Sequence, residues 1–287
     1  MNKWLLLLLG FVFMQSCAQQ DWYGKLEFQG RFPNKLSEVS GIAVYEDNKA
    51  WVIEDNGNKD HIYEVGLDGM LIRDLEVKNA KNTDWEDLTR DASGHLYIGD
   101  FGNNANQRTD LVIYKLPNPT TEKGNKIKAG KIAFSYPEQQ KFPPKKSDML
   151  YDTEGFFHHG DFLYIFTKNR TRPYNGKTLV YRVPDTPGTY EAELLDTLVL
   201  CTEKDHCSVT AAAISPSGST IALLGYGYVY LIRDFSFDAI AKGTMETVYF
   251  KYETQIESVC FLDEQTLLVA DEQSKTKGRN LYTYRLD

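Results

Sequence analysis

Short apolar runs, broken every few residues by turn chemistry, recur along this chain from residue 25 to its end. Residues 51–53, 96–98, 163–166, 221–224 and 267–269 form one set of runs, and residues 62–65, 112–116, 179–183, 229–232 and 281–284 follow them in the same order. A third set, 72–77, 131–136, 193–198 and 246–252, alternates apolar and polar positions more openly. The runs are rich in β-branched and aromatic residues, and no long segment carries the 3.6-residue period of an amphipathic helix, so they predict strands. Before each member of the first set stands a turn signal: Glu46-Asp47-Asn48, Ala92-Ser93-Gly94, His159-Gly160-Asp161, Pro216-Ser217-Gly218 and Asp263-Glu264-Gln265.

Upstream of each turn lies a fourth recurring segment. These read Glu38-Val39-Ser40-Gly41-Ile42, Asp84-Trp85-Glu86-Asp87-Leu88, Asp152-Thr153-Glu154-Gly155-Phe156, Ser208-Val209-Thr210-Ala211-Ala212 and Gln255-Ile256-Glu257-Ser258-Val259. Their third positions fall at 40, 86, 154, 210 and 257, so the gaps are 46, 68, 56 and 47 residues. Four short strands per repeat at this spacing predict an all-β fold, a single five-bladed β-propeller spanning 25–287. The fifth repeat runs out of chain before its fourth strand. The alternating segment 25–32 supplies that strand and closes the last blade, leaving few free sheet edges. A sixth blade inside the 68-residue gap is disfavoured by the polar, Pro- and Lys-rich character of 117–130 and 138–147, which read as loop insertions; a β-sandwich is the other alternative.

The first residues read as a processing signal. Lys3 precedes an apolar run, 4–13, too short to span a bilayer as a helix. Met14-Gln15-Ser16-Cys17 then resembles the lipobox of bacterial lipoproteins, although Met14 and Gln15 depart from its usual residues. The resemblance implies a signal peptide over 1–16, acylation of Cys17, and a tether over 17–24. With Ala18 and Gln19 following the cysteine, the implied address is the cell envelope, at the outer membrane, on its periplasmic or surface face. Export places the remaining cysteines in an oxidising compartment. Cys201 and Cys207, six positions apart, are then expected to form a disulfide; a Cys/His metal cluster with His206 lacks the ligands zinc requires. Cys260, in an apolar run, reads as a buried thiol.

In a propeller the innermost strand of each blade lines the central channel, and its side chains alternate with a period of two. Ser40, Glu86, Glu154, Thr210 and Glu257 should therefore form one ring, with Glu38, Asp84, Asp152, Ser208 and Gln255 in a second. Three converging carboxylates repel one another unless a positive group sits among them. No Lys or Arg stands at an equivalent position in either ring, so a hard divalent cation is expected, and calcium tolerates such a set of oxygens best. The alternative is a water-filled, partly protonated cluster. The order Ser, Glu, Glu, hydroxyl, Glu resembles the soluble calcium-activated nucleotidases, or apyrases, with Thr210 where that family carries Ser. The segments around Ser40 and Glu154 also resemble the propellers described as SdiA-regulated and the esterase-like phytases. These resemblances imply a five-bladed fold with a central calcium held by Ser40, Glu86, Glu154, Thr210 and Glu257.

Aligning the ends of the second strands brings Asp55, Asp100, Lys168, Tyr226 and Asp271 around the same mouth, with Arg170 and Arg108 nearby. This funnel suits a small anionic ligand or an envelope partner. The net charge of −8 argues against a nucleic-acid partner. Two functions follow: a calcium-binding ligand- or partner-binding module, or a calcium-dependent hydrolase of phosphoanhydride, phosphoester or ester substrates. In the second, Glu38, Asp84, Asp152 or Asp100 would act as base and Lys168 and Arg170 would steady developing charge. Neither a nucleophile elbow nor a full Gly-x-x-x-x-Gly-Lys-Ser/Thr phosphate-cradling loop occurs. A glycosidase, built on two or three acids in an open aromatic pocket, fits three convergent glutamates less well.

Overall fold

The computed structural model describes residues 22–45 and 48–287. The signal segment, Cys17 and the turn residues Glu46 and Asp47 lie outside the described residues. Strand β1 (Glu27–Arg31) comes first. Blade one then runs β2 (Val39–Tyr45), β3 (Lys49–Glu54), β4 (His61–Gly66) and β5 (Leu71–Lys78). Blade two begins β6 (Trp85–Arg90), β7 (Leu96–Asp100) and β8 (Val112–Leu116). The chain next makes β9 (Lys126–Lys128) and returns as β10 (Gly130–Ser135), the outer strand of blade two. Blade three is β11 (Asp152–His159), β12 (Phe162–Lys168) and β13 (Lys177–Pro184), then β15 (Glu193–Val199) after an excursion through β14 (Gly188–Glu191). A four-residue helix, α1 (Lys204–Cys207), precedes blade four, β16 (Ala211–Ile214), β17 (Ile221–Gly225), β18 (Tyr228–Arg233) and β19 (Thr244–Tyr249). Blade five is β20 (Ile256–Phe261), β21 (Thr266–Asp271) and β22 (Asn280–Arg285), completed by β1, which pairs antiparallel with β22 from Glu27↔Thr283 to Arg31↔Asn280.

The fold is thus the expected five-bladed propeller, and the first strand closes the ring. The insertions are more ordered than their composition suggests. Strand β9 adds parallel to β5, and β14 adds parallel to β10, so each insertion reaches back to cover the outer edge of the preceding blade. A run such as Lys126-Ile127-Lys128 offers one buried side chain, Ile127. That is too little for a periodic signal; the strand forms because a neighbouring edge supplies partners for its backbone.

The apolar core is divided into five layers, each between two adjacent blades. Blades one and two meet through Trp51, Ile53, Trp85 and Ile98; blades two and three through Phe101, Phe134, Phe156 and Tyr181. Blades three and four share Phe166, Leu200 and Tyr230, blades four and five Leu224, Val229 and Tyr282, and blades five and one Ile42, Val52 and Leu268. Flat faces stacked around an axis leave only the inner-strand edges at the centre. The channel is consequently lined by whatever those edges carry.

Candidate functional site

The pleat of the inner strands is interrupted where the ring residues stand. The register slips between Trp85 and Asp87, between Thr153 and Gly155, and between Ile256 and Ser258, so Glu86, Glu154 and Glu257 are themselves the extra residues of β-bulges. In blade one the slip falls at Gly41. A bulge re-aims its side chain, and here it turns three glutamates toward the channel. Gly41 adopts φ +78°, and a Cβ on it would overlap the backbone of Asp87 and Leu88 in the next blade. Ser40 and Thr210 serve differently from the glutamates. Ser40 Oγ donates to the Glu86 carbonyl, and Thr210 Oγ1 donates to the Ile256 carbonyl at 2.7 Å. Each hydroxyl latches its inner strand to that of the following blade.

The second-strand ends are set by backbone pairing. Asp55 N donates to Glu38 O, Gly102 N to Asp84 O, and Glu272 N to Gln255 O, while Lys168 is paired with Asp152. The equivalent positions are therefore Asp55, Gly102, Lys168 and Glu272, with Tyr226 beside them. Asp271 sits one residue earlier and Asp100 two, and both serve the framework. Asp100 accepts from Asp84 N at 3.1 Å and from Arg108 Nη2 at 2.9 Å. Asp271 accepts from Asn280 N, Thr254 and Tyr282 at 2.7–2.9 Å. The strand ends expected at the mouth from the sequence, Asp100 and Asp271, are thus replaced there by Gly102 and Glu272.

A cation from the chain itself occupies part of the ring. Lys168, 4% exposed, forms a short ion pair with Glu154 and lies 5.4 Å from the Tyr226 ring centroid. Arg170 donates through Nε to Asp152 at 2.5 Å and through Nη2 to Glu154 at 2.7 Å. Asp152 also accepts from Asn103 N at 2.7 Å. Glu257 accepts from Tyr226 at 3.0 Å and Glu272 from Gln255. Even so, acids outnumber cations. Burial, opposed by Lys168, leaves the Glu154 carboxyl pushed up to about 8. Burial and the Glu272 charge raise Glu257 to about 7; burial, with Asp55 and Glu38, does the same for Glu272.

On the other side of the channel, oxygens of Asp55, Asp84 and Glu86 all lie within 4.8 Å of one another. Gly102 makes this possible, because a Cβ there would overlap both Asp84 and Glu86 carboxylates. Asn56 donates to Asp55 through its backbone and to Asp84 through Nδ2, at 2.7 Å in the second case. Glu86, 6% exposed, receives no hydrogen bond on its carboxylate among the described residues. Burial first, then the Glu154 and Asp55 charges, raises its pKa well above the ordinary range, and burial lifts Asp55 to about 6. A buried carboxylate without a donor needs a proton or a cation.

Immediately beyond the ring stands Asp87, fully buried. Its carboxylate accepts from Leu88 N at 2.8 Å and, across the axis, from Phe156 N at 3.1 Å and Ala212 N at 3.3 Å. Past it the opposite mouth is mixed, lined by Ile42, Leu88 and Val259 together with Arg90, Asp91, His158 and His159. Asp87 therefore separates an acidic mouth from one of mixed character. Near the acidic mouth Cys201 and Cys207 are joined in a disulfide, with Cα atoms 5.5 Å apart, and Cys260 is a free thiol.

No protein-family model matches the chain, and no curated protein matches it. Solved structures do. A catalytically inactive virginiamycin B lyase from Staphylococcus aureus with quinupristin aligns at 14% identity and a TM-score of 0.42, over 88% of this chain and 67% of that one. The PQQ-bound aldose sugar dehydrogenase from Streptomyces coelicolor aligns at 9% identity and a TM-score of 0.52, over 91% of this chain and 98% of that one. At such identity the second likeness shows the fold alone.

Proposed function

We propose that this is a divalent-cation-binding propeller, with calcium the fitting ion, carried at the cell envelope by a lipid on Cys17 and presenting its acidic mouth to a ligand or partner. The observation that carries the reading is the Glu86 carboxylate, buried, without a donor, and gathered with Asp55 and Asp84. All three ligands are hard oxygens, which suit calcium or magnesium rather than zinc. The five-residue ring expected from the repeat is reduced in this reading. Lys168 neutralises the Glu154 side, Ser40 and Thr210 act as latches, and the ion belongs off-axis at Asp55, Asp84 and Glu86.

Melting the protein in calcium, in magnesium and in chelator tests it. An ion bound only by the folded state adds about 2.7 kcal/mol at 100 times its Kd. For a body of this size that is roughly 5–10 °C in Tm. Glu86→Gln should abolish the calcium increment. Identical melting in chelator and calcium removes the ion from the account. The anchor is tested separately: metabolic labelling with a radioactive fatty acid should mark the parent, and Cys17→Ser should be unlabelled. Equal labelling of both chains rules out the anchor.

A metal-dependent hydrolase is the second reading. What favours it is a pair of carboxyls, Glu257 and Glu272, both held at about 7 and so able to exchange a proton near neutrality. A bound ion would supply Lewis-acid polarisation of a phosphoryl or acyl oxygen. Asp152 and Asp100 are poor candidates for a base, since Arg170 and Arg108 engage their carboxylate oxygens. Assays on nucleotides, phytate and simple esters, with and without chelator, separate the two readings.

A further inference from the structure

The cations first expected to hold an anion at the acidic mouth are committed elsewhere. Lys168 and Arg170 pair with Glu154 and Asp152, and Arg108 pairs with Asp100 and Asp110. Beside them lies a cleft of about 380 Å³ lined by Asn104, Lys146, Met149, Arg170, Arg172 and Lys204. Four of its six lining residues are cationic and none is acidic, in a chain whose net charge is −8.

Two loops build the cleft by running side by side. Arg170 N donates to Met149 O at 2.9 Å, and Arg172 N donates to Lys146 O at 2.8 Å. Lys204 comes from the loop that the Cys201–Cys207 disulfide ties, and its carbonyl is held by Ser208 Oγ at 2.8 Å. Lys146, Arg172 and Lys204 take part in no ion pair among the described residues, and Arg170 Nη1 has no hydrogen-bond partner there. Gathering three unpaired cations in one concavity, beside a fourth whose Nη1 is free, is unfavourable unless an opposite charge joins them. Guanidinium groups match planar or tetrahedral oxyanions in a fixed fork.

We propose that this cleft is an oxyanion subsite, which takes the carboxylate or phosphate group of a small ligand through Lys146, Arg170, Arg172 and Lys204. This deepens the binding reading by naming the ligand's chemistry. The pocket itself does not depend on the calcium reading. Arg170 joins the two regions, since it lines the cleft and holds Glu154 and Asp152 of the ring.

Calorimetric titration of the folded chain with inorganic phosphate, and separately with galacturonate, tests the subsite at low salt with and without calcium. The parent should bind at least one of the two probes. The one bound more tightly identifies a tetrahedral or a planar group. The double charge reversal Arg172→Glu with Lys204→Glu, at two exposed positions, should weaken that binding at least tenfold, and raising the salt should weaken the parent. A parent that binds neither probe, or a double variant that binds as the parent does, overturns the proposal. Calcium binding is read independently from melting. Anion binding that persists in a chain with no calcium response keeps the subsite and discards the ion. A calcium response without anion binding does the reverse.

Discussion

Lys168→Met should destabilise the chelator-treated protein by roughly 3–5 kcal/mol at pH 8.5, on the order of 10 °C in Tm, and by much less at pH 5. The lysine is the buried counter-charge of Glu154, and its charge also reaches Glu257. Removing it leaves the buried carboxyls with only Arg170 to favour ionisation, so at pH 8.5 they must either stay ionised without a counter-charge or take up protons, and either is expensive. The pH dependence follows from proton counts. Glu154, Glu257 and Glu272 hold their protons to about 8, 7 and 7 in the folded state, against an ordinary glutamate value near 4.3. Between those values the folded state binds more protons than the unfolded one, so stability falls as pH rises through that window. The parent already carries this slope, and the variant steepens it because the carboxyls lose the charge that favoured ionisation. At pH 5 they are neutral in both proteins and the lysine has little to offset. Adding Glu154→Gln to Lys168→Met should recover most of the loss at pH 8.5. A variant equally stable across the range, or one unaffected by the second change, would show that the pair is not the counter-ion system described.

How much of this was legible in the residues differs between strands and site. The strands were legible because each blade repeats one message: an apolar run of the right length, a turn residue set, and another run. Residues 51–53 fall inside Lys49–Glu54 and residues 96–98 inside Leu96–Asp100. Even closure by 25–32 could be read, from the lack of a fourth strand in the last repeat. The ring was legible as a list of acids but not as a geometry. A period of two assumes an unbroken pleat, and Glu86, Glu154 and Glu257 stand where the pleat is broken. The balancing cation does not stand at an inner-strand position. Lys168 enters from the end of β12, and nothing local to its neighbours announces that its stem will lie across the channel. Glu272 differs from Asp271 by one residue of register, which strand ends read from sequence do not resolve; Asp271 pairs within the blade and serves the framework.

Asp87→Ala should cost on the order of 4 kcal/mol or more, a larger loss than most core truncations of similar volume. Three backbone donors from three blades end on this one carboxylate: Leu88, Phe156 and Ala212. Each orphaned buried donor costs about 1–3 kcal/mol, and alanine orphans all three in a place that excludes water. Asparagine keeps the shape and one carbonyl oxygen. With that oxygen turned to Phe156 and Ala212 it puts an amide against Leu88 N, so it preserves two bonds and loses the third. Asp87→Asn should therefore cost about 1–3 kcal/mol. Burial raises the Asp87 pKa well above the ordinary range, with the Phe156, Leu88 and Ala212 amides opposing, so removing the acid should also flatten the fall of stability with rising pH, the reverse of what Lys168→Met does. Leucine, which fills the volume but accepts nothing, should behave like alanine if the donors matter and like the parent if only packing does. Urea unfolding of the three variants decides between these, and equal stability of Leu and Asp at position 87 would mean that the bonds across the axis contribute little. If the donors do matter, the centre of this propeller is pinned by an internal acceptor, and the cation site proposed on the other side of Glu86 would be free to fill and empty without opening the ring.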